Sequence, residues 1–245
     1  MNAIDLIGVS KTFKVSGKDK EALKTLSLEV KEGEVFGFIG PNGAGKSTAI
    51  KLLLNFLRPD SGRLLIMGRR VGLDEFRDRL GYLPETPCLY NHLTGRETLF
   101  FAGRFAGVPP SRLNEETDRL LELVDLTDAA GKPVSGYSKG MKQRLGLAAA
   151  LAHDPAVLIC DEPMSGLDPV GRHLLKKIIM SLRSEGRTIF FSSHILGDVE
   201  ELCDRIGVIH KGHLLFMGRA SDFREGLGLE EAFINAVNGW EDARA

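Results

Sequence analysis

Nine consecutive residues, Gly40-Pro-Asn-Gly-Ala-Gly-Lys-Ser-Thr48, constrain this chain more than any other stretch. They fit G-x-x-x-x-G-K-[ST], with Gly40, Gly45, Lys46 and Ser47 in register and Pro41, Asn42, Gly43, Ala44 and Thr48 completing the loop. Glycines let the backbone curl until several N–H groups point into one concavity, and a phosphate oxygen can then approach without meeting a Cβ. Lys46 supplies a point charge for the terminal phosphates, Ser47 a hydroxyl for Mg²⁺, and the helix that starts here aims its positive end at the same anion. The flanks agree. Residues 35–39 read as a short buried strand, and 48–57 as a helix. A bound nucleoside triphosphate is the expectation, against a glycine-rich turn that matches by chance.

The rest of the chain reads as an α/β protein. Residues 4–9 and 22–30 alternate like strands of a half-exposed sheet, separated by a polar turn at 16–20. Phe13, between them, can stack on a purine or pack in the core, and position alone leaves both open. Strands are predicted at 63–67 and from 80 to Pro84, which ends the second. From about 88 to 155 the pattern turns helical, with helices over 97–105, 115–126 and 141–153. Strands at 156–160 and 188–192 flank a helix over 170–185, a βαβ unit. The domain reading is therefore a core of 1–87 and 156–226 with a mostly parallel sheet and an N-terminal antiparallel β part, a helical insertion at 88–155, and a helical tail at 227–245.

Composition excludes several classes. With 32 lysines and arginines against 33 acids in 245 residues, the formal charge is −1, so bulk electrostatics give no reason to expect a nucleic-acid partner. The longest apolar runs, such as 145–152, fall short of the roughly 18 residues a spanning helix needs. The first residues have neither the basic opening nor the apolar core of a signal peptide, and a cytoplasmic location is expected. Cys88, Cys160 and Cys203 are too few and too scattered for a disulfide framework. His210 and His213 form an H-x-x-H, but 206–216 reads as strand, glycine turn, strand, so a surface hairpin is the better account.

Two further motifs bear on chemistry. The apolar strand before Asp161-Glu162 places carboxylates at the mouth of a parallel sheet, where ligands of such sheets bind. Asp161 would hold Mg²⁺ through water, and Glu162 would act on the attacking water as a general base. In 137–144 a loop serine and a glycine, Ser138 and Gly140, open a helix and create a second anion-binding N-terminus.

This ordered set resembles the ATP-binding subunits of ABC transporters over roughly residues 4–220. The resemblance implies a P-loop nucleoside triphosphatase fold and a dimer, of two copies or with a second ATP-binding subunit. In it the signature at Ser138, Lys139 and Gly140 closes over the γ-phosphate held by the partner's loop. It makes Phe13 the ring that stacks on adenine, places Asp168 in the loop crossing the dimer interface, and makes His194 the switch histidine, catalytic with Glu162 and Lys46. ATP and Mg²⁺ are the implied cofactors, with Ser47, Asp161 and Glu85 around the metal. Glu85 stands where the family has glutamine, and Tyr137, Lys139 and Met141 where it has Leu, Gly and Gln. Both spellings are similar to the branch of bacterial ABC exporters that includes daunorubicin-type drug exporters. The implied partners are separate integral membrane permease subunits, which would hold the protein peripherally on the inner face of the cell membrane. Phe100, Phe101 and Phe105 are candidates for receiving a helix of those subunits, or are core aromatics. The rival functions are a soluble ABC ATPase acting on nucleic acid or ribosomes, and a nucleotide switch that hydrolyses ATP poorly.

Overall fold

The computed structural model describes residues 1–224 and 226–244. In chain order the elements are β1 (Asn2–Val15), β2 (Lys18–Lys31), β3 (Val35–Ile39), α1 (Lys46–Leu53), β4 (Ser61–Ile66), β5 (Arg69–Arg70), β6 (Leu80–Leu83), α2 (Gly95–Phe105), α3 (Leu113–Leu123) and α4 (Lys139–Ala150). There follow β7 (Val157–Asp161), α5 (Pro169–Ser184), β8 (Thr188–Ser193), α6 (Leu196–Leu202), β9 (Arg205–His210), β10 (His213–Gly218), α7 (Ala220–Arg224) and α8 (Leu229–Asp242). They form two compact units, Met1–Phe76 with Thr188–Ala245, and Arg77–Arg187. Among the described residues no helix is long and apolar enough to cross a membrane.

The first unit holds two sheets. One is antiparallel in the order β2-β1-β4-β5. Its first hairpin is longer than the alternation at 4–9 and 22–30 suggests, because Ser16 and Gly17, at φ 50° and 78°, make a two-residue turn. Lys20, Asp19 and Lys18, expected in the turn, instead pair with Phe13, Lys14 and Val15. In the other sheet β3 lies between parallel neighbours β8 and β9, and β10 adds antiparallel to β9. A strand flanked on both edges and covered on both faces must be apolar throughout, and every residue of β3 is buried. Phe36 and Phe190 stack at 5.8 Å and Phe38 lies 5.5 Å from Phe190. Each such fully buried side chain contributes roughly 1.5–3 kcal/mol, which fixes β3 as the rigid support of the loop that follows.

Helix ends explain most departures from the expected boundaries. α1 stops at Leu53 rather than 57 because Asn55 turns left-handed at φ 57°. The amides of Phe56 and Asn55 then bond back to the carbonyls of Lys51 and Leu52, a two-bond cap that closes the helix. α3 ends the same way, with Asp125 at φ 53° and the Leu126 amide on the Leu121 carbonyl. In the second unit β6 and β7 pair in parallel, with α2 to α5 around them. α2 begins at a reciprocal cap in which Thr94 and Glu97 satisfy each other's backbone amides, and α5 begins at Asp168, whose carboxylate accepts from Gly171 N at 2.7 Å, with Pro169 in its first turn. The tail is helical, as expected, in α8.

Candidate functional site

The first unit carries the phosphate loop. β3 runs directly into Gly40, where an added Cβ would overlap the Ile209 carbonyl oxygen and lie 2.9 Å from that residue's Cγ2. Gly45, at φ 118°, would meet Ala22 O at 2.6 Å and Leu23 Cδ2 at 2.8 Å. Both glycines are thus demanded by the chain's own packing. Lys46 is only 6% exposed and its Nζ donates to Gly40 O at 2.6 Å, which holds the ammonium inside the curl of the loop. Ala44 and Gly45 are buried, Pro41 and Thr48 half-buried, while Asn42, Gly43 and Ser47 face out, so the Ser47 hydroxyl is presented on the first turn of α1.

Phe13 lies on β1 and is half exposed rather than packed in the core, with Lys11 Nζ 5.8 Å from its ring centroid. Lys11 is itself tied to Asp60 at 2.7 Å. His194 is exposed and follows β8 immediately, at a bend where Ser193 Oγ accepts from Ile195 N at 2.9 Å.

In the second unit Asp161 is the last residue of β7 and Glu162 follows it at φ 48°. A left-handed backbone costs a non-glycine residue roughly 1–3 kcal/mol and is retained where the surroundings enforce it. Each of the two acids is 9% exposed. Glu85, two residues past β6, leaves the same end of the parallel pair, because Leu83 lies opposite Cys160. It is exposed. Tyr82 on β6 has its phenol pushed up to about 12 by burial first and by the Asp161 carboxylate next, so a low-dielectric, negative environment surrounds the strand end. Taken singly, the Ser47 hydroxyl of the first unit and the Asp161 and Glu85 carboxylates of the second are each hard oxygen donors of the kind magnesium takes alongside substrate phosphates. When bound, that ion would neutralise phosphate charge.

The signature residues come together with Asp168. Ser138 is the N-cap of α4, its Oγ accepting from Met141 N at 3.2 Å, and Lys139 and Gly140 form the first turn. A cleft of about 280 Å³ is lined by Ser138, Lys139, Gly140, Gly166 and Asp168. The N-termini of α4 and α5 both open there. Lys139 reaches Gly166, where its ammonium occupies the place an added Cβ would take. Tyr137 faces away from the cleft, is 5% exposed, and donates to Ala129 O at 2.7 Å. Arg144, one turn further along α4, donates through Nη1 to the carbonyls of Val124 and Asp125 at 2.5 and 2.8 Å, capping the end of α3.

Several contributors escaped sequence reasoning. Gly146 is required where α4 crosses the Glu85 segment, since a Cβ would fall 2.6 Å from Pro87 Cγ. Tyr90 joins Phe101 and Phe105 in one exposed aromatic patch, edge-on to Phe101 at 5.9 Å, with Phe101 stacked on Phe105 at 6.4 Å. Phe101 is 51% and Phe105 87% exposed, so neither is a core aromatic, whereas Phe100 is half-buried. Nothing local to Tyr90 signals this, because the patch joins a loop to a helix.

A buried strand feeding a phosphate loop, in a chain that also carries an acidic strand end and a second glycine-bearing helix N-terminus, defines an ATP-binding cassette. The family model described as ABC transporter matches residues 23–165, and the chain belongs to that family. It is 46% identical over 224 residues to an uncharacterised ABC transporter ATP-binding protein of Nostoc sp., covering 90% of this chain and 66% of that protein. It is 41% identical over 218 residues to Nod factor export ATP-binding protein I of Rhizobium sp., covering 88% and 70%. The chain thus spans about two thirds of the length of these relatives. A solved dimeric bacterial ABC transporter cassette superposes with a TM-score of 0.80 at 25% identity, over 88% of this chain and 98% of that one.

Proposed function

We propose that this chain is the ATP-hydrolysing subunit of an exporter, working as a dimer whose two nucleotides each lie between one phosphate loop and the partner's signature. The observation that carries the reading is the cleft at the start of α4. Two helix N-termini and the Lys139 ammonium face it, and the chain's own side chains do not fill it. One nucleotide per chain needs one phosphate loop, so a second anion-favouring terminus suits a phosphate brought by another copy. The dimeric state of the solved cassette supports this.

Lys46 and the loop amides bind the phosphates, Ser47, Asp161 and Glu85 would hold magnesium, and Phe13 stacks on the base. Glu162 takes the proton of the attacking water, with His194 as the switch histidine near the γ-phosphate. ATP closes the dimer and hydrolysis reopens it, which moves separate membrane permease subunits between two states. The exposed Tyr90, Phe101 and Phe105 patch is the surface we assign to a helix of those subunits, since contiguous exposed aromatics mark contact sites. Export is favoured by the Nod factor export relative. A cytoplasmic, peripheral position on the inner face of the cell membrane follows.

The test is to isolate the protein from membranes with its neighbours intact. It should co-purify with an integral subunit, and Phe101→Ala with Phe105→Ala should release it while ATP binding persists. Recovery in a wholly soluble form, or on ribosomes or DNA, in cells holding all its partners would contradict the proposal.

A further inference from the structure

The C-terminal helix and the β9–β10 hairpin meet in a cluster that the proposed mechanism does not use. The hairpin turns through Lys211 and Gly212, at φ 46° and 83°, between His210 and His213. Its tip is wedged against the phosphate loop. Gly212 N donates to Ala44 O at 2.9 Å, and Gly212 O accepts from Lys24 N at 2.9 Å on the other side. Just before the turn, Ile209 presses on both loop glycines: its carbonyl lies where a Cβ of Gly40 would sit, and its Cδ1 3.2 Å from one on Gly45. Residues 209–212 therefore form a backbone collar around the loop.

Helix α8 grips that collar from outside. The Trp240 ring stands edge-on to His210 at 5.1 Å and 84°, and lies 5.3 Å from the His213 ring. Lys211 Nζ is 5.7 Å and the Arg244 guanidinium 4.2 Å from its centroid. Glu241 Oε1 accepts from Lys211 Nζ at 2.6 Å and lies 3.0 Å from His210 Nε2. Lys211 first and His210 next hold the Glu241 carboxyl below its ordinary range. All three side chains of the turn are thus engaged by two adjacent helix residues.

We propose that Trp240 and Glu241 are positioning residues for the phosphate loop, fixing the 209–212 collar against Ala44 and so setting nucleotide affinity. Neither side chain reaches the nucleotide. The effect passes through the Gly212–Ala44 backbone bond, so a loosened collar raises the KM for ATP and leaves kcat nearly unchanged. The inference rests on residues 40–48 being the ATP site.

Trp240 is the chain's one tryptophan, so its emission reports this cluster alone. Titrating the full chain with Mg·ATP should change that emission saturably, with the dissociation constant found by equilibrium dialysis of labelled ATP. Trp240→Ala should weaken binding roughly two- to thirtyfold, the range typical of coupling residues that touch no ligand. Glu241→Gln should weaken it less, and Trp240→Phe should recover most of the loss. If Trp240→Ala does not fold, Glu241→Gln, a change at a half-exposed rim, carries the test. Wild-type binding with unchanged affinity in the folded variants would overturn this inference alone. Absence of ATP binding to the wild-type chain would overturn the ATP-site reading beneath it, and this one with it.

Discussion

Helices α1 and α4 both begin at a glycine-bearing N-terminus suited to an anion, yet the two termini are built in opposite ways. At α1 the glycines are enforced from within: a Cβ on Gly40 or Gly45 would collide with backbone carbonyls of Ile209 or Ala22, and Lys46 is buried on the loop's own oxygens. At α4 the nearest atom to a Cβ on Gly140 is 3.9 Å away, and Lys139 is exposed. The chain has no packing reason of its own to keep glycine at 140. The first site demands its glycines from within, whereas the second holds one that its own packing does not require, which is the pattern the proposed completion by a second copy would leave.

The largest expected effect separates the two sites by chemistry. Glu162→Gln should retain ATP, lower turnover by roughly 10²- to 10⁴-fold, and accumulate as a closed ATP-bound dimer on gel filtration, because the open site then stays filled. Lys46→Ala should lose most ATP affinity in the same binding assay. Turnover by Glu162→Gln at the wild-type rate would remove that residue from the base role.

Next is Phe13→Ala, which alters only the closed site. Stacking on a base is worth roughly 1–3 kcal/mol and does not distinguish bases, so ATP and GTP should weaken together in competitive binding. Unchanged affinity would leave Phe13 without a nucleotide contact.

A comparison of Gly45→Ala with Gly140→Ala probes the contrast through stability. The φ of 118° at Gly45 carries roughly 1–3 kcal/mol of strain for a side chain, before the overlap with Ala22 is counted. Thermal denaturation should therefore show a marked loss for Gly45→Ala. Gly140→Ala, in the first turn of a helix, should be neutral or stabilise by up to about 1 kcal/mol, while ATPase activity falls. Equal destabilisation by both would erase the distinction.

These effects also show what the sequence could reveal. The loop at 40–48, the acidic pair and the signature serine are legible because each depends on residues adjacent in the chain. Helix ends were less so. The stops at Asn55 and Asp125 come from single left-handed residues, which spacing does not announce. Least legible were contacts between distant segments: the collar of Ile209 and Gly212 on the loop, the seat of Pro87 on Gly146, and the joining of Tyr90 to Phe101. Their signal is a bare glycine or an ordinary aromatic whose meaning appears only when the partner segment is placed.

The smallest effect concerns a third helix N-terminus, that of α2, which closes on itself. Thr94→Ala should cost about 1 kcal/mol, the usual worth of such a cap, and leave ATP affinity untouched. The Glu97 carboxyl is held below its ordinary range by the Thr94 backbone amide first and the Thr94 hydroxyl next. With a depressed folded-state pKa, its contribution is present above the ordinary carboxylate pKa and is lost as pH falls through the lower value. Thr94→Ala removes the hydroxyl and keeps the backbone amide, so it should flatten the acid limb of the stability curve only in part, and an unchanged limb would show that the hydroxyl contributes nothing there.

The claim that the open site is completed by a second copy is tested most directly by mixing two inactive proteins. Lys46→Ala lacks the loop charge, and Gly140→Asp sets a carboxylate in the signature cleft. In a mixed dimer one composite site combines both lesions, and the other joins an intact loop to an intact signature. With random pairing at equal concentrations half the dimers are mixed, so roughly a quarter of wild-type sites should return, and ATPase activity should reappear on mixing. Mixed dimers shown to form yet as inactive as their parents, while wild-type mixed with Gly140→Asp remains active, would contradict the shared site.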